Sequence, residues 1–536
     1  MDTFDYIIVG GGTAGCILAN RLTASGEHTV LLLEAGGDGK GFWVPIPAGF
    51  SKLLTHPRFN WRFATEPEDN VHGRTISIPR GKGLGGSTLI NGMIYVRGQP
   101  QDFDRWAQDE GATGWGYDDI KPYFEKLENY APGGLGRGTN GPMHIEEVKE
   151  RFPVSSAFLA AAQEDGQVLN ADYNQDDQEG FGYYQVSQKA GRRWSVVDGY
   201  LTPARHRSNL TVRTGAHVQH LLLDNKRCTG VVYRQGQQTI SIKARAEVIL
   251  AAGTIQTPQI LELSGIGDPA TIQAAGLKVQ HALPAVGSNY IDHFATRMNW
   301  RVKNTVTLNE MSQGWRLGRE VAQYYLKRTG ILTLGTGLNF GFVKTRHELA
   351  TPDIQYFFVH ASYANAAERK LDTQPGMTIG VTQLRPQSTG SIHIRSGNPL
   401  DAPLIRPNVL AASEDQDSLI EGMKIARRIV GQPALRPFVD SELSPGKSIT
   451  TQQAWLDFAR NNGQTIYHPI GTCRMGADAN AVVAPDLLVK GLQGLRVVDA
   501  SVMPSMVSGN TQAAVMMIAE KAADLILGKT ALSSAT

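Results

Sequence analysis

Tyr6-Ile7-Ile8-Val9-Gly10-Gly11-Gly12-Thr13-Ala14-Gly15 opens the most informative segment of the chain, and Thr29-Val30-Leu31-Leu32-Leu33-Glu34 completes it. Tyr6–Val9 is short, apolar and β-branched, so it reads as a buried strand. Gly10, Gly12 and Gly15 follow at once in GxGxxG spacing. Ile17, Leu18 and Leu22 then give a helical apolar face, and Thr29–Leu33 reads as a second buried strand. Each glycine has a physical task. Gly10 makes the tight turn, Gly12 admits a pyrophosphate close to the backbone, and Gly15 lets helix and strand pack closely. The helix start offers free N–H groups to phosphate. Glu34 lies 19 residues past Gly15, where an acid can accept a ribose 2′-hydroxyl. The whole unit predicts dinucleotide binding. With an acid at Glu34 and no Arg beside it, NADP is disfavoured, and FAD or NAD remains.

Three further stretches extend this reading. Gly81-Lys82-Gly83-Leu84-Gly85-Gly86-Ser87-Thr88-Leu89-Ile90-Asn91-Gly92 has few large side chains and can lie against a flat ligand. Val248-Ile249-Leu250-Ala251-Ala252-Gly253 is a strand running into a small-residue turn. Leu495–Val498 is a strand with Asp499 near its end, and a helix follows from Ala513 through Ile526. If both chain ends reach one ligand, the nucleotide domain is discontinuous. These extra glycine junctions favour a flavin over an NAD-only module.

The rest of the composition narrows the class. At 536 residues with 41% apolar and 19% charged residues, the chain is globular and long enough for several domains. A formal net charge of +2 gives no reason to expect nucleic acid. No apolar run approaches the ~20 residues of a membrane span. Three cysteines, Cys16, Cys228 and Cys473, suit a reducing compartment. The first residues lack the pattern of a signal peptide. A cytoplasmic location is therefore expected, with peripheral membrane contact left open. No His, Cys, Asp or Glu cluster has metal spacing.

Long motifs beyond the first glycines resemble those of the glucose–methanol–choline (GMC) oxidoreductases, a family of FAD-dependent alcohol oxidoreductases. They are Gly81 through Asn91 and Tyr95 to Asp104, Gly253-Thr254-Ile255-Gln256-Thr257-Pro258 through Gly267, and Val286-Gly287-Ser288-Asn289-Tyr290-Ile291-Asp292-His293. Tyr467-His468-Pro469 through Gly476 and Ser508-Gly509-Asn510-Thr511 resemble the family's catalytic segments. Tyr183–Lys189 and Arg193–Ser195 are similar to the alkanol-dehydrogenase type within the choline-dehydrogenase-like branch.

The resemblance implies an α/β architecture: a Rossmann-like FAD domain plus an α+β substrate domain with an antiparallel sheet. It assigns 1–150, 201–296 and 466–536 to the FAD domain and 151–200 and 297–465 to the substrate domain. Thr13, Ala14, Ala35, Gly85, Ser87, Asn91, Gly92, Met93, Ile94, Val218, Ala252, Gly253, Asp499, Ala500, Asn510 and Thr511 are implied FAD neighbours, beside Gly10, Gly12, Gly15 and Glu34. Leu338, Phe340 and Tyr467 are implied to line the substrate pocket. Ile90 stands where some relatives attach flavin through a His, so FAD should be non-covalent. Leu338 stands where choline-type enzymes carry a Glu, which disfavours choline.

The residues themselves support part of this. Asp353–Val359, Met377–Leu384 and Gly390–Arg395 are strand-like and have no long helices between them, which favours antiparallel pairing. Leu317, Val321, Tyr324 and Tyr325 recur at helical spacing. They read as a helix packed on the core, with a lid or membrane-touching helix as the alternative.

Alcohol oxidation needs a base for the hydroxyl proton, and a neutral imidazole suits that task near neutral pH. The resemblance makes His468 that base and Asn510 its partner on the substrate oxygen. His293 reads as structural, and Cys473 as packing. The expected activity is FAD-dependent oxidation of an uncharged, primary alcohol, with electrons passed to a quinone or another carrier. An oxidase that makes hydrogen peroxide and a hydroxynitrile lyase with non-redox FAD are the alternatives.

Overall fold

The computed structural model describes residues 3–365 and 370–532. Its first sheet has seven strands, in the order Leu210–Thr214, Val30–Glu34, Thr3–Val9, Gln238–Leu250, Arg227–Gln235 and Ala216–Asp224, with Leu495–Val497 also paired to Gln238–Leu250. Thr3–Val9 runs parallel to Val30–Glu34 on one side and to Gln238–Leu250 on the other. Leu495–Val497 is parallel to Val248–Leu250. The buried β-branched runs predicted from sequence are these strands. Leu31, Leu32, Ile7, Ile8, Ile249 and Val497 are all fully buried. Parallel strands covered on both faces need this continuous apolar composition.

The carboxyl ends of four strands meet: Val9, Glu34, Leu250 and Val497. Two helices begin there, Thr13–Leu22 and Gly253–Leu263. In such sheets a ligand binds outside the carboxyl ends. A strand and a helix from the last fifty residues thus join the first forty at one place.

The second sheet is also seven-stranded, in the order Val439–Ser444, Phe294–Val302, Gly376–Gln383, Ile354–Val359, Asn339–Val343 and Gly180–Tyr183, with Gln464–Thr465 paired to Phe294–Val302. Its pairings are antiparallel throughout. Helix Ser413–Val430 covers one face through Leu419, Met423, Ala426 and Ile429, all buried. Ser391–His393 does not join this sheet. It pairs with Leu404–Arg406 in a separate hairpin, where the His393 ring meets Glu262 at 2.7 Å.

The helix predicted around Leu317 spans Gly314–Lys327, but it does not pack its apolar stripe on the core. Only Glu320 and Tyr324 are buried, while Leu317, Val321 and Tyr325 are exposed. Periodicity shows that one face is apolar; it does not show what that face meets.

Candidate active site

One long cavity joins the two sheets. Its nucleotide end is built by glycines that admit close backbone contacts. Gly10 sits at φ +106, and a Cβ there would lie 2.5 Å from the Ala251 carbonyl oxygen. A Cβ on Gly15 would lie 1.9 Å from the Gly10 oxygen, so the helix could not pack this close with any other residue. At Gly12 nothing lies nearer than 3.9 Å, which leaves the open surface that a pyrophosphate needs.

Glu34 is buried here, but its carboxylate is already engaged. It accepts the backbone N–H groups of Gly11 at 2.9 Å, Gly36 at 2.7 Å and Gly83 at 3.0 Å. A carboxylate offers about four acceptor sites, so three are taken by the loops and one is left for a ribose hydroxyl. Burial raises its proton affinity, and the three N–H groups oppose that rise. Glu34 therefore staples both glycine-rich loops to the strand end, a role that the motif spacing alone does not reveal. Asp499 does the same for the start of the helix Gly253–Leu263 and its own turn. It accepts Gly253 N–H at 2.9 Å, the Thr257 hydroxyl at 2.6 Å and Ser501 N–H at 2.8 Å.

At the other end stands His468. Tyr467 before it holds a left-handed φ of 72, unusual for a bulky residue, and Pro469 follows. The His468 backbone N–H donates to Asp292 at 2.8 Å. The ring is held at both nitrogens: Nδ1 lies 3.0 Å from Nδ1 of His293, and Nε2 lies 3.1 Å from Nδ2 of Asn510. The outer nitrogen of His293, Nε2, lies 3.1 Å from the Leu384 carbonyl oxygen.

That carbonyl can only accept, so His293 carries its proton on Nε2 and presents a lone pair at Nδ1. His468 must then carry its proton on Nδ1, which leaves the Nε2 lone pair facing Asn510. Burial lowers the pKa of His293 to about 4. It also holds His468 well below the usual imidazole value, with His293 and Arg80 adding to the effect. Both rings are neutral at pH 7, as this proton order requires.

The Asn510 amide is oriented by a second chain. Tyr184 donates its hydroxyl to the Tyr356 carbonyl at 2.9 Å. Its oxygen is thereby free to accept from Gln355 Nε2 at 3.0 Å. The same Gln355 nitrogen donates to Asn510 Oδ1 at 3.3 Å, so the Asn510 NH2 group turns toward His468. A lone pair and an amide donor are thus aimed at one spot.

Of the residues singled out from sequence, Gly10, Gly12, Thr13, Ala14, Glu34, Ala35, Ser87, Asn91, Gly92, Met93, Ile94, Val218, Ala252, Gly253, Tyr467, His468, Asp499, Ala500, Asn510 and Thr511 line the cavity. Gly15 and Gly85 lie just behind it. Gly85 donates its N–H to the Gly11 oxygen at 2.7 Å.

Leu338 and Phe340 do not line the cavity. Both are buried in the core of the second sheet, and the Phe340 ring packs on Tyr173 at 4.4 Å. The strand Asn339–Val343 is buried throughout, and Thr336, before its start, is the residue of this stretch that reaches the wall.

Sequence reasoning missed other wall residues. Thr378, Gly380 and Thr382 alternate along one strand, with Phe357 and Val359 opposite. The period-two pattern was available, but not which face of the strand met the cavity. Arg80, Arg297 and Gln512 were also missed.

Family models for GMC oxidoreductases match residues 4–295 and 386–519. The chain is 39% identical over 536 residues to an oxygen-dependent choline dehydrogenase of Photobacterium profundum, covering 99% of this chain and 94% of that one. It is also 39% identical over 545 residues to an alcohol dehydrogenase (acceptor) of Pseudomonas putida, covering 99% and 97%. Among solved structures, pyridoxine 4-oxidase from Mesorbium loti matches with a TM-score of 0.89 and 28% identity, over 98% of this chain and 99% of that one. A formate oxidase variant from Aspergillus oryzae matches at 0.90 and 26%, over 98% of each chain. The chain belongs to the GMC oxidoreductase family, and it is an FAD-dependent oxidoreductase.

Proposed function

We propose that this chain oxidises an uncharged primary alcohol to its aldehyde, with His468 as the base and Asn510 as the donor to the alcohol oxygen. The observation that carries this reading is Nε2 of His468 standing 3.1 Å from Asn510 Nδ2, in the same cavity as the glycine cradle. An incoming hydroxyl can insert between these two groups, donating to His468 and accepting from Asn510. Removing its proton at Nε2 raises the electron density that expels hydride from carbon. Bound FAD supplies the acceptor for that hydride. The proton stays on a ring whose other nitrogen is already bonded to His293.

The glycine cradle, Ser87, Asn91 to Ile94, Val218 and the Asp499–Ala500 turn are proposed to hold the FAD. Ile90 on the wall has no nucleophilic atom, in keeping with a non-covalent flavin. We assign 1–150, 201–296 and 466–536 to FAD binding and 151–200 and 297–465 to the substrate.

A quaternary ammonium substrate such as choline fits this cavity poorly. Among the described wall residues the acids are Glu34 and Asp499, both at the nucleotide end and both bonded to backbone N–H groups. The cations Arg80 and Arg297 lie on the wall. The alcohol-dehydrogenase relative therefore fits better than the choline relative as a guide to substrate.

The test is anaerobic mixing with a panel of alcohols, followed separately by air and by a soluble quinone. Neutral primary alcohols should bleach the flavin, and the quinone should restore its colour faster than air. Rapid restoration by air with peroxide formation would mean an oxidase. Failure of every alcohol to bleach the flavin would sink the alcohol reading and leave a non-redox lyase in its place.

A further inference from the structure

Helix Gly314–Lys327 stands on the surface with its apolar side outward. Trp315 is 73% exposed and Leu326 83%. Leu317, Val321 and Tyr325, at steps of four, form one outward row. Trp315, Ala322 and Leu326 form a second beside it, with Gly318 between the rows. Together they cover about half of the helix circumference, at 3.6 residues per turn. Glu320 fixes the opposite side by accepting the Ile331 N–H at 3.2 Å. The outward arc is therefore held in place, not folded away.

Arg319 borders this arc beside Leu326, and Arg316 and Lys327 lie farther round toward Glu320. With Arg328 they are the cations of residues 314–328, where the sole acid is the buried Glu320. Arg316 lies 3.5 Å from Glu310. Arg328 lies over the Tyr324 and Tyr325 rings at 4.8 and 5.6 Å.

A second exposed apolar point lies close by. Phe42 is 66% exposed, and it meets Trp43 edge to face at 4.9 Å. The hairpin 188–193 links the two places: Arg193 donates its N–H to the Pro45 oxygen at 3.1 Å, and Gly191 abuts the Arg328 carbonyl. Both segments also lead straight into the cavity wall, Trp43 toward Phe50 and the helix toward Thr336.

We propose that this face docks on an anionic lipid surface, with the helix lying in the plane of the interface. An exposed apolar arc with Trp among its residues and a cationic border is the pattern of an in-plane interfacial helix. Charge argues for lipid over a second copy of the chain, because a self-contact would set this cationic border against its own copy. Docking here places the region around Phe50 and Thr336 beside the bilayer. An apolar alcohol or quinone dissolved in the membrane then has a short path to the cavity. The inference does not depend on which alcohol the site takes.

The experiment is sedimentation of the FAD-loaded protein with vesicles of phosphatidylcholine alone or mixed with phosphatidylglycerol. Binding should favour the anionic vesicles and weaken with salt. Tryptophan emission should shift to the blue on binding. Each basic residue near such a surface strengthens binding about fivefold, so Arg319→Glu with Lys327→Glu should weaken it by at least tenfold. Trp315→Glu with Leu326→Glu should abolish it. Both variants alter exposed side chains and should retain flavin bleaching by alcohol in solution. Three outcomes would overturn the proposal: no preference for anionic vesicles, variants that bind like the parent, or a soluble dimer that Trp315→Glu with Leu326→Glu dissociates while neither form binds vesicles.

Discussion

His293 and His468 face each other nitrogen to nitrogen at 3.0 Å, a separation that one shared hydrogen bond accounts for. Because the Leu384 carbonyl takes the outer proton of His293, the shared proton belongs to His468. In the proposed mechanism, the ring that sequence alone reads as structural sets the tautomer of His468.

His293→Phe should therefore slow flavin reduction. It removes the acceptor for His468 Nδ1–H and releases the ring to place its proton on Nε2, where it cannot accept from the alcohol. General base catalysis is worth about 10²–10⁴ in rate, and a loss of about 10² is expected at saturating alcohol. FAD should stay bound. Combining His293→Phe with His468→Ala should cost little more than His468→Ala alone, because both act on one proton. Stopped-flow reduction rates for the two singles and the double decide this. Fully additive losses would show that His293 acts apart from the base.

Glu34→Ala should harm the fold around the cradle as well as FAD affinity. It leaves the Gly11, Gly36 and Gly83 N–H groups without their acceptor. An unpartnered buried group costs about 1–3 kcal/mol. The melting temperature of the flavin-free protein should fall along with FAD affinity. If affinity falls while the apoprotein melts unchanged, the carboxylate serves the ligand and not the loops.

Acid precipitation should release all of the flavin colour into the supernatant. Ile90 offers no atom for attachment, and burial suppresses the thiolate forms of Cys16 and Cys473. Yellow colour that remains with the pellet would contradict non-covalent binding.

Choline should bleach the flavin far more slowly than a neutral alkanol at equal concentration. The acids on the described wall, Glu34 and Asp499, are both at the nucleotide end, so no wall carboxylate stands at His468 to balance a quaternary ammonium. Competition between the two alcohols in one anaerobic assay gives the ratio directly. A ratio that favours choline would mean that a carboxylate reaches the site by a rearrangement.

The nucleotide half was legible because its constraints are local. A parallel strand, a turn at positive φ and a helix packed on Gly15 lie within a few consecutive residues, and each demands its own residue type. Motif resemblance singled out His468 and Asn510, which the fold brings together at 3.1 Å on the cavity wall. The hydrogen bonds that orient them were not legible, because Leu384, His293 and Gln355 reach the site from strands and loops far apart in sequence. Glu34 shows a subtler limit. The motif put it at the strand end, where it lines the cavity, but the three N–H groups it accepts come from loops whose approach only the folded chain reveals. Thr378, Gly380 and Thr382 alternate as wall residues should, yet alternation fixes two faces without saying which one is wet. The outward face of Gly314–Lys327 was misread for the same reason.

The most direct measurement is the rate of anaerobic flavin reduction by a neutral primary alcohol, for the parent protein and for His468→Ala, across acidic to neutral pH. Burial lowers the pKa of His468 below 6.5, so its neutral form is lost only as pH falls through that lowered value. The parent rate should be flat through neutrality and fall at more acidic pH. His468→Ala should be slower by about 10²–10⁴, should lose that acid limb, and should still bind FAD. A His468→Ala protein that reduces its flavin at the parent rate, with the same acid limb, would contradict the account.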